Sequence, residues 1–165
     1  MEFKPNENTL KKLEIIDRLQ KEASNRYIEL YHCGSWAVSA MLGDFYKDIK
    51  DIDFVVSTES DKAIISEILK DLGYTFVAEH PWGPIEYENE LVSIEFGSTE
   101  DKRNGYYNCE LNKNNKGDLN GVTLLIADPK VMLKSRHDMI EKGIKPNDET
   151  QQFVIKTVER FIQQH

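Results

Sequence analysis

The segment DIDFVVS, from Asp51 to Ser57, carries a continuous apolar run, Phe54-Val55-Val56, of a kind that suits a strand covered on both faces. A chain built around such a strand must supply apolar helical faces to cover it. Residues 8–26 place Leu10, Leu13, Ile16 and Leu19 at helical spacing with charges elsewhere. The stretch YIELYHC, 27–33, reads as a strand. Ser35 is then expected as the N-cap of a helix, WAVSAMLG, that is apolar almost all round and ends at Gly43. TESDKAIISEILKDLG is a third helix, capped by Thr58 or Ser60 and followed by Gly73.

Four short strand-like segments follow, YTFVAEH, PIEYENE, LVSIEFGS and GVTLLIA, punctuated by Pro, Gly and Asn. The polar run between the last two reads as a loop or a ragged hairpin. Two closing helices complete the chain, the first opened by Asp128 as cap with Pro129 at its first position. The order predicts an α+β fold with a mixed sheet: one domain over 1–165, with a core at 27–127 and closing helices at 128–165.

The 165 residues carry 21 Lys and Arg against 29 Asp and Glu, a net charge of −8. That balance argues against a nucleic-acid partner, which must be held through its phosphates by clustered cations. No apolar run approaches the ~20 residues of a bilayer span, and the N-terminus lacks the pattern of a signal peptide. Two cysteines, Cys33 and Cys109, give neither a disulfide framework nor a metal motif. The expectation is a cytoplasmic protein without a membrane partner. From Glu79 to Asp101 stand seven carboxylates and no Lys or Arg, either a solvated hairpin or a field that gathers a cationic small molecule.

Along a strand, Asp51 and Asp53 point to the same face, about 7 Å apart at their Cα atoms. Two carboxylates so placed repel one another unless a cation lies between them, and Mg²⁺ suits the position because it leaves coordination sites for phosphate and water. Gly34 permits close approach to the backbone, and Ser35 with the following amides forms an anion site at a helix start. A nucleoside triphosphate with its Mg²⁺ satisfies both halves. His32, Cys33 and Trp36 read as structural.

Gly34-Ser35, followed after fifteen residues by Asp51-x-Asp53, resembles the nucleotidyltransferase signature of the DNA polymerase beta superfamily. In detail GSWAVSAMLG with KDIDFVV is most similar to the small aminoglycoside and lincosamide nucleotidyltransferases, over about 25 residues. The resemblance implies a metal-dependent enzyme of the nucleotidyltransferase fold. It would move a nucleoside monophosphate from an NTP such as ATP to a hydroxyl of a small acceptor, as in antibiotic resistance, and release pyrophosphate. It implies two Mg²⁺ ions and a third carboxylate on a neighbouring strand. Glu95, an acid in an otherwise apolar strand, is the preferred residue, with Glu86 and Glu88 as alternatives. Many relatives place this acid two residues earlier, at the position of Ser93. Asp51, Asp53 and Glu95 are thus the expected catalytic and metal residues, and Gly34, Ser35 and Lys134 the expected nucleotide-binding ones. Lys134 is favoured over Arg136, His137 and Lys145 by the resemblance. A homodimer is compatible with it. An antitoxin that modifies a helical protein partner and a degenerate nucleotide-binding domain are the other readings.

Overall fold

A computed structural model, which describes residues 2–165, forms the elements in the order α1 (Glu7–Ser24), β1 (Tyr31–His32), α2 (Gly34–Leu42), β2 (Ile52–Val56), α3 (Glu59–Asp71), β3 (Thr75–Glu79), β4 (Ile85–Glu88), β5 (Ser93–Ser98), β6 (Lys116–Leu119), β7 (Val122–Ile126), α4 (Pro129–Glu141) and α5 (Glu149–Gln164). The caps explain several of these starts. Asn6 accepts from the Thr9 amide, Thr58 from Asp61 and Asp128 from Lys130, each satisfying an amide that the first helical turn leaves unbonded.

The seven strands make one mixed sheet in the order β3-β4-β5-β2-β1-β7-β6. β2 lies at its centre, parallel to β5 and antiparallel to β1. Its side chains divide as a pleated strand requires. Ile52, Phe54 and Val56 enter the main core with Ile65, Ile68 and Leu69 of α3 and Leu13, Ile16 and Leu19 of α1. Val55 faces the other way, among Tyr31, Cys33 and Ala127 and beneath Tyr106. Both faces of the apolar run are therefore covered. Phe54 stacks on Phe96 with centroids 5.2 Å apart and planes 7° from parallel, and Tyr87 continues the stack at 6.2 Å from Phe96. Among the described residues no helix is long and apolar enough to cross a membrane.

Three local expectations are corrected. The first strand is confined to Tyr31–His32, because Tyr27 has φ 59° in the turn that follows α1 and lies in solvent. Ser35 is not the cap of α2: the cap is Cys33, without a side-chain bond, and the helix begins at Gly34, placing Ser35 in its first turn. Leu10 stands at the margin of the apolar stripe of α1 and is 37% exposed. The ragged-hairpin reading holds for the polar run, where β6 pairs with β7 in antiparallel register.

α2 is wedged between the β6–β7 end of the sheet and α5. Val38 packs with Val154 and Val158 of α5, while Trp36, Ala37 and Ala40 face the main core. Backbone meets backbone here: a Cβ on Gly117 of β6 would collide with the Ala40 carbonyl. Gly117→Ala must push the helix off the sheet, at about 1–3 kcal/mol. Thermal melts should show Tm lowered by roughly 3–10 °C, given about 2–4 °C per kcal/mol at this size. Gly105→Ala, where an added Cβ meets nothing within 4 Å, should melt as the parent does.

Candidate active site

The end of the sheet at which β2 begins is joined to the start of α2 by two hydrogen bonds. The Cys33 amide donates to the Asp53 carbonyl at 3.0 Å, and the Trp36 indole N–H donates to the Asp51 carbonyl at 2.9 Å. Gly34, at φ 59°, has no side chain on the side facing Asp53, whose Oδ2 would lie 3.6 Å from a Cβ built there. The left-handed φ calls for glycine, while a Cβ there would make only ordinary van der Waals contact with Asp53. The Gly-Ser turn and the Asp-x-Asp strand are thus one unit in space.

Register supplies the rest. Asp53 pairs with Glu95 across β2 and β5, and Glu95 with Glu86 across β5 and β4. Three carboxylates stand in a row on the face opposite the aromatic stack. Asp51, exposed and just outside β2, lies two residues from Asp53. None of the ion pairs among the described residues involves Asp51, Asp53, Glu86 or Glu95. The consequence is electrostatic. Burial, then the charges of Glu95, Asp51 and Glu86, push the Asp53 carboxyl up to about 7. A row of oxygen donors without a counter-charge among the described ion pairs fits a hard divalent cation such as Mg²⁺.

The row borders a cleft of about 540 Å³ whose lining includes Gly34, Ser35, Asp53, Glu95, Tyr106 and, from α4, Met132, Ser135, Arg136 and Met139. Its other side is basic. Lys47, Arg136 and Lys145 all line it. Partial desolvation and then the charges of Lys145 and Arg136 lower the Lys47 pKa. None of the three forms an ion pair among the described residues. Tyr46 closes the gap, its phenol beside Ser35 and Arg136 and raised mainly by burial. Trp82, 55% exposed, borders the cleft from the β3–β4 turn.

Gly34, Ser35, Asp53 and Glu95 therefore meet in one cleft, with Asp51 at its edge. Lys134 is exposed and does not line the cleft; Arg136, two residues on, does. Trp36 is core at 1% exposure. His32 is fully buried, which pushes its pKa down to about 3, and burial pushes the Cys33 thiol up, so neither offers a reactive group at neutral pH. Lys47, Tyr46 and Tyr106 were not singled out from the sequence. They sit in loops whose positions follow only from how the sheet and α4 are placed.

The acidic stretch divides in the structure. Asp101 is buried and held by Arg103 at 2.9 Å and Lys62 at 3.6 Å, Glu79 pairs with Arg103 at 3.3 Å, and Glu100 accepts from the Glu59 amide. Glu88 and Glu90 are exposed. Glu86 and Glu95 alone of the seven join the carboxylate row.

No protein-family profile matches the chain, and no curated protein matches it in sequence. Solved structures match its fold. The solution structure of the antibiotic-resistance factor ANT(2″)-Ia aligns with TM-score 0.72 at 15% identity, over 94% of this chain and 85% of that one. The lincosamide antibiotic adenylyltransferase LnuA, lincomycin-bound, aligns with TM-score 0.60 at 16% identity, over 96% of this chain and 99% of that one. An antigenic nucleotidyltransferase-like protein from Paracoccidioides brasiliensis aligns with TM-score 0.58 at 15% identity, over 96% and 77%. The chain has the fold of these proteins.

A carboxyl held above its unfolded value of 3.8 favours the folded state only while protonated. The stability it lends at low pH is lost as pH rises from about 4 through about 7, a loss on the order of 4 kcal/mol by pH 8 for Asp53 in metal-free protein. Thermal melts in a chelator should fall over that window, and Mg²⁺ should restore Tm above pH 7. Asp53→Asn should raise the metal-free Tm at pH 8 and remove most of the Mg²⁺ effect. Melts at pH 8 that ignore Mg²⁺ would show that the carboxylates hold no cation.

Proposed function

We propose that this chain, acting as one domain, transfers a nucleoside monophosphate from a Mg²⁺-bound NTP to a hydroxyl of a small, cationic acceptor, with release of pyrophosphate. One observation carries the reading: two sets of charges, neither held in ion pairs among the described residues, line or border a common cleft, carboxylates from the sheet and the cations Lys47, Arg136 and Lys145. A single ligand that answers both is a polyphosphate with its metal. The structural neighbours support the same chemistry, since one is a complex of ANT(2″)-Ia with adenylyl-2″-tobramycin and another is lincomycin-bound LnuA. They favour ATP as donor and an antibiotic as acceptor.

In this reading Asp51, Asp53 and Glu95 would hold Mg²⁺, which would supply charge neutralisation at the triphosphate and acidify the acceptor hydroxyl. The amides at the start of α2, with Gly34 leaving room, bind the outer phosphates. Lys47, Arg136 and Lys145 offset the charge that accumulates on the departing pyrophosphate, the part first expected of Lys134. Glu95 accepts the proton of the attacking hydroxyl. Glu86 and Glu95 give a cationic acceptor its counter-charge, and the exposed Trp82 ring gives it an apolar surface at the mouth of the cleft.

The test is pyrophosphate release from each of the four NTPs with Mg²⁺, against aminoglycosides, lincosamides and simple sugars. Release should require one acceptor class, and Asp53→Asn should lower kcat/KM by roughly three orders of magnitude. Lys47→Ala should raise KM for the NTP roughly tenfold, the loss of one charged contact to phosphate worth about 1.4 kcal/mol, while Lys134→Ala should leave it unchanged. Mg²⁺-dependent nucleotide binding without release would replace this reading with a domain that binds nucleotide and does not transfer it.

A further inference from the structure

Beside the carboxylate row stands a group that nucleotidyl transfer does not use. His80 immediately follows β3, and one of its ring nitrogens, an oxygen of Glu86 and an oxygen of Glu95 all lie within 4.8 Å of one another. The Nε2 atom of His80 is shut off from solvent and has no hydrogen-bond partner among the described residues. No ion pair joins the ring to either glutamate, so the three groups surround a gap rather than close on one another. A buried imidazole nitrogen without a partner is costly, and the ring that carries it stands beside two carboxylates that do not bond to it.

We propose that His80, Glu86 and Glu95 form a cation site separate from the Mg²⁺ position at Asp51 and Asp53, selective for a borderline transition metal such as Zn²⁺ or Co²⁺. Donor chemistry sets the selectivity: imidazole with carboxylate oxygens suits Zn²⁺ and Co²⁺, whereas Mg²⁺ takes oxygens. Metal–nitrogen and metal–oxygen bonds of about 2.0–2.2 Å at tetrahedral angles place ligand atoms about 3.4 Å apart, so the three side chains close on an ion by drawing together by up to roughly 1.4 Å.

The ligands are held for this. The His80 amide donates to the Pro84 carbonyl at 2.8 Å, and its ring stacks on Trp82 with centroids 4.5 Å apart. Lys62, buried against Asp101, donates to the Gly83 carbonyl at 3.3 Å and fixes the turn. Ser93 Oγ donates to Glu86 Oε1 at 3.3 Å, the outer hydrogen bond that orients a metal-binding carboxylate. Because Glu95 belongs to both groups, an ion here draws a carboxylate away from Asp53 and would restrain any chemistry done there. The site itself does not depend on the transfer reaction.

Metal-free protein would be titrated with Co²⁺ in an excess of Mg²⁺, following the visible d–d bands of protein-bound cobalt, and Zn²⁺ then added to displace it. One Co²⁺ per chain, released by one equivalent of Zn²⁺, is the expected result. His80→Ala should weaken binding at least about tenfold, and Glu86→Gln should do likewise, while Asp51→Asn should leave it unchanged. Circular dichroism of each variant separates lost binding from lost fold, and His80→Gln serves if His80→Ala unfolds. Cobalt that fails to bind in excess Mg²⁺, or that binds His80→Ala or His80→Gln as tightly as the parent, would overturn the proposal. So would binding lost in Asp51→Asn and kept in His80→Ala, which would place the ion at the Mg²⁺ position. None of these readouts requires turnover, so their failure is distinct from a failure to release pyrophosphate.

Discussion

The register between β2, β5 and β4 is the constraint on which the rest depends. On one face of these strands Phe54, Phe96 and Tyr87 stack in the core; on the other, Asp53, Glu95 and Glu86 fall side by side. The two arrangements are one fact seen from opposite sides, because side chains alternate along a strand and a slip of one residue exchanges the faces. Such a slip would bury three carboxylates and expose three aromatic rings. Aromatic packing therefore holds together charges that would separate if left to themselves, and burial together with their repulsion pushes the Asp53 carboxyl up to about 7.

α2 is the second fixed part, positioned by close contact more than by charge. Its backbone meets β6 where Gly117 has no side chain, its flank packs on α5, and Trp36 ties its first turn to the Asp51 carbonyl. These contacts aim the amides at its start, which carry partial positive charge, toward the cleft that holds Asp53. The closing helices then complete the wall, and Arg136 is turned inward, donating to Gln151 Oε1 of α5 at 3.0 Å.

Net charge says little about how the cleft works. The chain is acidic overall, at a net charge of −8, yet Lys47, Arg136 and Lys145 gather at the cleft. Much of the acidic stretch is structural: Asp101, Lys62, Arg103 and Glu79 form a network that holds the β3–β4 turn against the loop after β5. A carboxylate with a buried cationic partner stabilises a fold. One without a partner, beside others of its kind, is open to a ligand.

What the sequence determined by itself is the local and the periodic. Caps at Thr58 and Asp128, the apolar run of β2, the Gly-Ser turn and the Asp-x-Asp pair were legible because each depends on neighbours in the chain. Glu95 was legible because an acid in an apolar strand needs a reason. The tertiary structure alone decided which cations meet the carboxylates. Lys134 and Arg136 lie two residues apart on α4, about 200° around the helix, so only one can face the cleft, and the packing of α4 against α5 chose Arg136. Lys47 and His80 carry no signal of their own in the sequence. They reach the cleft and the carboxylate row because strands distant in the chain are neighbours in the sheet, and that proximity is a property of the folded molecule.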